Sequence, residues 1–182
     1  MRFVETPLQD AFVINLDPKE DNRGIFYRLF CSRHFEEQGI TDAHFTQVNL
    51  SDNTAKGTLR GLHYQAEPHL EAKVVYCLQG SFYDVIVDLR PQSKSYLQHF
   101  GIRLSHKDPC ALYIPKGFAH GFLTLEEGSR LLYLMSDCYQ PGFERGYSYN
   151  DPSFAIDWPF KPSVISERDQ NYTPFEHIHA LC

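Results

Sequence analysis

The residues of this chain best able to move protons or hold charge fall in a few short stretches. They are Arg60-Gly-Leu-His63-Tyr-Gln65 followed by Lys73, Ile114-Pro-Lys-Gly-Phe-Ala-His120-Gly-Phe122, Tyr133 with Tyr139, Ser166-Glu-Arg-Asp169, and Asp21-Asn-Arg23-Gly24. His63 is the best-placed base, because an imidazole with an ordinary pKa near 6.5 exchanges protons readily at neutral pH. A carboxylate on its far nitrogen would fix the tautomer and stabilise the imidazolium, and by sequence Asp169, Asp84 and Asp88 all qualify. Arg60 and Lys73, close in sequence to that histidine, suit an anionic ligand. Each residue also has a plain structural reading. His63 could be a core histidine with a satisfied hydrogen bond, and Tyr133, inside the apolar run LLYLM, a buried tyrosine with its hydroxyl paired. Tyr139 could anchor the turn Tyr-Gln-Pro-Gly, and Arg23 could be an ordinary turn residue.

His63, Glu71 and His120 raise the question of a metal. Metal-binding barrels of the cupin type place their first two histidines at i and i+2, so that both ligands share a strand face. Two residues after His63 stands Gln65, a poor ligand for a transition metal. The set is therefore read as metal-free.

Strand-like stretches must position these groups. Ser81–Arg90 alternates, with Tyr83, Val85, Val87 and Leu89 on one face and Asp84 and Asp88 on the other. Lys73–Leu78 precedes it across Gln79-Gly80, which predicts a hairpin. Further strands are expected over Phe12–Leu16, Phe26–Phe30, Phe45–Ser51, Thr58–Tyr64, Leu97–Leu104, Cys110–Ile114 and Arg130–Ser136. One short helix is expected from an N-cap at Ser32 to a stop at Gly39, and Ser166 could cap another near the C-terminus. Many short strands separated by turns predict an all-β sandwich or closed barrel, as a single domain over residues 1–182. One conflict is visible: strict alternation puts Arg60 and His63 on opposite faces, so they share a pocket only if Gly61 bends or bulges the strand.

The bulk numbers exclude several classes. With 17 basic and 23 acidic residues the net charge is −6, which argues against a general nucleic-acid binder. The cysteines at 31, 77, 110, 138 and 182 are odd in number, scattered and without a CxxC, so they read as reduced thiols. No apolar run approaches the roughly 20 residues that span a bilayer, and MRFVETPLQDAF does not read as a signal peptide. The expected setting is the cytoplasm.

At its motifs the chain resembles the dTDP-4-dehydrorhamnose 3,5-epimerase family, almost end to end. The matching words are Asp21-Asn-Arg-Gly-Ile-Phe26, Gln47-Val-Asn-Leu-Ser51, Leu59-Arg-Gly-Leu-His-Tyr-Gln65, Ala72-Lys-Val74, Asp84-Val-Ile-Val-Asp-Leu-Arg90, Ile114–Phe122, Asp151-Pro, Ile156-Asp-Trp-Pro159 and Ser166-Glu-Arg-Asp169. The resemblance implies a cupin jelly-roll β-barrel with a few short flanking helices, a homodimer with N-terminal strand exchange, and no cofactor or metal. It implies a small nucleotide-sugar substrate, a 4-keto-6-deoxy sugar epimerised at C3, C5 or both, as in dTDP-rhamnose and related deoxysugar pathways for O-antigen or antibiotics. In that scheme His63 takes the proton with Asp169 as partner, Tyr133 returns one on the other face, and Lys73 holds the enolate oxygen. Arg23, Phe26, Gln47, Asn49, Arg60 and His120 line the substrate cleft, and Tyr139 sits close to the sugar.

Some positions depart from the common family wording. Arg28 stands where the rhamnose-pathway enzymes usually carry glutamate, Val48 where aspartate is frequent, and Leu50 where histidine is common. Arg145-Gly-Tyr-Ser-Tyr149 also differs from the usual apolar-aromatic stretch. These changes flank the cleft rather than the proton-transfer set, so they bear on which nucleotide and sugar are used. The competing readings are a metal-dependent enzyme on His63, Glu71 and His120, and a non-catalytic sugar-nucleotide binder on the same scaffold.

Overall fold

Alternating and doubly apolar strands here close on one another as two facing sheets. The computed structural model describes residues 1–41 and 44–175. In chain order the elements are β1 (Arg2–Glu5), β2 (Phe12–Asn15), β3 (Lys19–Asp21), β4 (Gly24–Phe26), α1 (Ser32–Glu37), β5 (Gln47–Asn53), β6 (Thr58–Gln65), β7 (Lys73–Gln79) and β8 (Ser81–Asp88). They continue with β9 (His99–Ser105), β10 (Cys110–Ile114), β11 (Phe118–Thr124), β12 (Ser129–Met135), β13 (Glu144–Gly146), β14 (Val164–Ile165) and α2 (Glu167–Gln170). One sheet runs β1-β2-β10-β7-β12-β5 and the other β13-β6-β11-β8-β9, with β14 added beside β6. This is the all-β jelly-roll barrel that the resemblance implied, with two short helices at its margin.

Three apolar clusters explain why so many strands are apolar on both faces. Val75, Phe82, Ile86, Leu104, Leu112, Phe122 and Leu131 meet between the sheets. The outer face of the first sheet is covered by α1 and the N-terminal segment, where Phe35 packs with Val74, Tyr76, Ala111 and Tyr113. The outer face of the second is covered by the segment after β13, where Tyr147, Phe154 and Phe175 meet Leu62, Val87 and Ala119. Among the described residues, no helix is long and apolar enough to cross a membrane.

Three expectations change. β7 and β8 do not form a hairpin: they lie in different sheets, and Gly80 (φ +71) is the corner where the chain crosses between them. A single linking residue turns the chain too sharply for a two-residue hairpin, and the Ser129 side chain leaves no space for a Cβ there. Phe26–Phe30 is not a strand, because β4 ends at Phe26. Beyond it Phe30 leaves the sheet to pack on Phe35 at 5.1 Å, and the Leu29 carbonyl accepts from the Tyr76 hydroxyl instead of a ladder partner. Ser32 is the first residue of α1 rather than its cap. Cys31 is the cap, through its carbonyl alone, and this phase buries Phe35 completely. The stop at Gly39 (φ +84) and the cap at Ser166, which accepts from the Asp169 N–H, are as read from sequence. Cys31, Cys77, Cys110 and Cys138 are free thiols, and burial pushes Cys77 up to about 12.

Candidate functional site

The conflict between Arg60 and His63 is resolved at Gly61. Against β11, His63 pairs with His120 and Arg60 with Phe122, so two residues of β6 oppose one of β11. This bulge turns Arg60 and His63 to the same side. It needs glycines on both strands: Gly61 has φ +133, and a Cβ there would lie 2.5 Å from the Gly121 Cα. Together Arg60 and His63 line an inner cavity of about 210 Å³ with Asn49, Lys73, His120, Phe122, Tyr133 and Met135. They also line an outer cavity of about 400 Å³ with residues of β14 and α2. The two spaces meet at Arg60 and His63.

Each sheet supplies one wall of the inner cavity. β6 and β11 contribute Arg60, His63 and His120, while β5, β7 and β12 contribute Asn49, Lys73 and Tyr133. The His63 Nε2 is 2.8 Å from Asp169 Oδ1, and Asp169 Oδ2 accepts from the Gly61 N–H at 3.1 Å. Burial raises the Asp169 pKa, but the hydrogen bonds from His63, Gly61 and Ser166 outweigh it and leave the carboxyl below its ordinary value. An ionised Asp169 only accepts, so Nε2 carries the proton and Nδ1 keeps the lone pair. His63 is 39% exposed at its side chain and Asp169 is 5% exposed.

His120, the cross-strand neighbour of His63, is backed by Asp84 at 3.0 and 3.1 Å. Of the three carboxylates open by sequence, Asp169 thus takes His63, Asp84 takes His120, and Asp88 is bound to Arg90, Ser93 and Ser95. The Tyr133 ring stands edge-on to His120 at 5.9 Å. Burial first, then the Asp84 charge, pushes the Tyr133 hydroxyl well above its ordinary value, so it stays protonated; Arg60 and Ser51 act the other way.

Lys73 is buried and its Nζ lies 3.1 Å from Glu71 Oε1. Glu71 Oε2 accepts from the Gln65 side-chain amide at 2.8 Å. Among the described residues, no group of three or more His, Cys, Asp or Glu is spaced to hold a metal ion.

Not every expected residue joins this cleft. Arg23 is 85% exposed at its side chain and pairs with Asp21 on the β3–β4 hairpin, and Phe26 is 67% exposed. Within one chain neither lines either cavity. Gln47 bonds Asn49, and its Oε1 accepts from the Tyr139 N–H at 3.0 Å; the Tyr139 hydroxyl donates to Glu144. Tyr172 escaped the sequence reading, and Arg168 entered it only as part of the Ser166–Asp169 stretch, with no role of its own. Arg168 lines the outer cavity and donates to the Tyr172 hydroxyl at 2.8 Å, and the Tyr172 ring stands edge-on to His63 at 5.8 Å. The signal available was Arg168 inside the capped Ser166-Glu-Arg-Asp169 stretch and Tyr172 four residues on, just past the end of α2 at Gln170.

A jelly roll with proton-moving side chains on both inner walls and a buried ammonium beside them has the architecture of a cupin-type sugar epimerase. Residues 5–177 match the family model described as dTDP-4-dehydrorhamnose 3,5-epimerase, and the chain belongs to that family of isomerases. The dTDP-4-dehydrorhamnose 3,5-epimerase of Methanothermobacter thermautotrophicus is 38% identical, over 95% of this chain and 94% of that one. The crystal structure of the Elizabethkingia anophelis enzyme of the same name aligns with a TM-score of 0.92 at 39% identity, over 97% of each chain. The Legionella pneumophila dTDP-6-deoxy-D-glucose-3,5-epimerase, solved in complex with dTDP-4-keto-L-rhamnose, aligns with a TM-score of 0.92 at 38% identity, over 99% of this chain and 95% of that one.

Proposed function

We propose that this protein inverts C3, C5 or both in a dTDP-linked 4-keto-6-deoxy hexose, with His63 as base. The observation that carries the reading is the opposition of His63 and Tyr133 across one cavity, from different sheets. Loss of the proton next to the C4 ketone moves its electron pair into an enolate, and His63 becomes an imidazolium stabilised by Asp169. Tyr133 then gives its proton to the same carbon from the other face, inverting it. The imidazolium proton returns to the Tyr133 phenolate through water or substrate hydroxyls, so no net proton is consumed. The Lys73 ammonium stabilises the enolate oxygen, and one donor at such a site contributes about 3–4 kcal/mol. Arg60 and His120 hold the substrate from the same wall as the base, with Arg60 toward the diphosphate and the outer cavity toward the nucleotide. Gln47 and Asn49 complete the opposite wall, and Tyr139 sits at the sugar. No step calls for a redox cofactor.

The test is proton NMR of dTDP-4-keto-6-deoxyglucose with the protein in D2O. Deuterium entering C3, C5 or both is expected; no exchange at either carbon would exclude this substrate. A Tyr133→Phe variant is expected to keep exchange at one face while slowing inversion about a hundredfold.

A homodimer in which the β3–β4 hairpin crosses to a second copy would complete the cleft with Arg23 and Phe26. It is supported by the exposure of Ile25 and Phe26 on that hairpin and of Val48 and Leu50 on the edge strand β5. Sedimentation at micromolar concentration is expected to give twice the chain mass, and Phe26→Asp to give a monomer of lower substrate affinity.

A further inference from the structure

We propose that Glu71 is a positioning residue for the reaction: its carboxylate, tethered by Gln65, fixes the Lys73 ammonium at the inner cavity. The inference rests on the epimerase reading above, which assigns Lys73 to the enolate oxygen. Glu71 and Lys73 are each 7% exposed at their side chains, so their pair at 3.1 Å is shielded from water. A buried ammonium left without a counter-charge is costly, and a lysine stem has several rotatable bonds by which to leave. Glu71 removes that freedom because its second oxygen is also held, by the Gln65 amide at 2.8 Å. Gln65 in turn is fixed from outside the strand. The same amide nitrogen lies 3.3 Å from the His69 and Cys138 carbonyls, and its oxygen accepts from the Gln140 N–H at 2.8 Å. The chain from Gln140 through Gln65 and Glu71 to Lys73 therefore ties the segment bearing Tyr139 to the ammonium. The other charged or titratable groups lining the cavity with Lys73 are Arg60, His63, His120 and Tyr133, so Glu71 is the one carboxylate bonded to its ammonium among the described residues.

Glutamine at 71 keeps the shape but not the function. Both Glu71 oxygens accept, one from an ammonium and one from an amide, whereas a glutamine offers one acceptor and turns its NH2 toward the other donor. The Lys73 ammonium is then free to shift, and a displacement of about 1 Å at a reacting centre slows turnover about a hundredfold.

The experiment measures kcat, KM, dTDP affinity by calorimetry and melting temperature for the full-length protein, Glu71→Gln and Glu71→Asp. In parallel, the Lys73 15Nζ resonance is recorded on 15N-lysine-labelled protein and assigned with Lys73→Arg. The expected result is a kcat about a hundredfold lower in Glu71→Gln, with KM within threefold and dTDP affinity unchanged, and a melting temperature lowered by the loss of the buried counter-charge. Glu71→Asp should recover at least tenfold of the loss, and the Lys73 Nζ signal, protected from solvent exchange in the parent protein, should be lost in Glu71→Gln. A kcat within threefold of the parent, or a Lys73 signal equally protected in both, overturns the inference. If the parent protein exchanges no deuterium into the substrate, the epimerase reading has failed, and the Lys73 resonance alone decides whether Glu71 positions the ammonium.

Discussion

The two histidine–aspartate pairs sit side by side and differ in almost everything but chemistry. His63 and His120 are direct cross-strand partners, each with Nε2 on a buried carboxylate. Asp84 comes from the neighbouring strand of the same sheet, and its pair is closed, with side-chain exposures of 5% and 0%. Asp169 comes from α2, 106 residues beyond its histidine, and His63 remains 39% exposed. A carboxylate partner alone therefore does not set how accessible a histidine is. What distinguishes His63 is a face left open to both cavities while its far nitrogen is held.

That contrast can be broken in order of expected effect. His63→Ala should lower deuterium exchange about a thousandfold, within the range for loss of a general base. His120→Ala, assayed in the same way, should act chiefly on KM; equal kcat losses in the two variants would erase the distinction. Asp169→Asn should slow exchange about a hundredfold, because the imidazolium loses its counter-charge. Asp84→Asn should instead show mainly in thermal melts, as a loss of about 1–3 kcal/mol from a buried bond left imperfectly paired.

A smaller effect follows from pH. Asp169 lies below the ordinary carboxylate value of 3.8 in the folded protein. The sign follows from that depression: its contribution to stability is fully present above 3.8 and is lost as pH falls through the lower folded value. The melting-temperature gap between the parent protein and Asp169→Asn should therefore be flat near neutrality and close below 3.8. Dialysis against a chelator should change neither kcat nor the melting temperature, and loss of both would revive the metal reading of His63, Glu71 and His120.

Much of the fold was legible because it depends on short-range pattern. β10 matches the expected Cys110–Ile114, and the alternation of Ser81–Arg90 gives β8 and two buried carboxylates facing inward. The sheet change at Gly80 was not legible, because two adjacent strands with a turn between them look the same whether they pair or part. Period-2 reading exposed the Arg60–His63 conflict and pointed to Gly61 as its solution. Pairing of His63 with Asp169 rather than Asp84 spans the whole barrel; the residues alone left it open, and only the resemblance favoured it. Arg23 and Phe26 illustrate another boundary: a residue read as lining a cleft stands exposed when only one copy of the chain is in view.

The late origin of Asp169 has a consequence for how the protein is made. Synthesis runs from the N-terminus, so every strand from β1 to β14 is made before α2 exists. A nascent chain halted at Ile165 possesses both walls and the histidine but not its carboxylate. Along this stretch shape is encoded ahead of the histidine–carboxylate pair, which is completed only after β14.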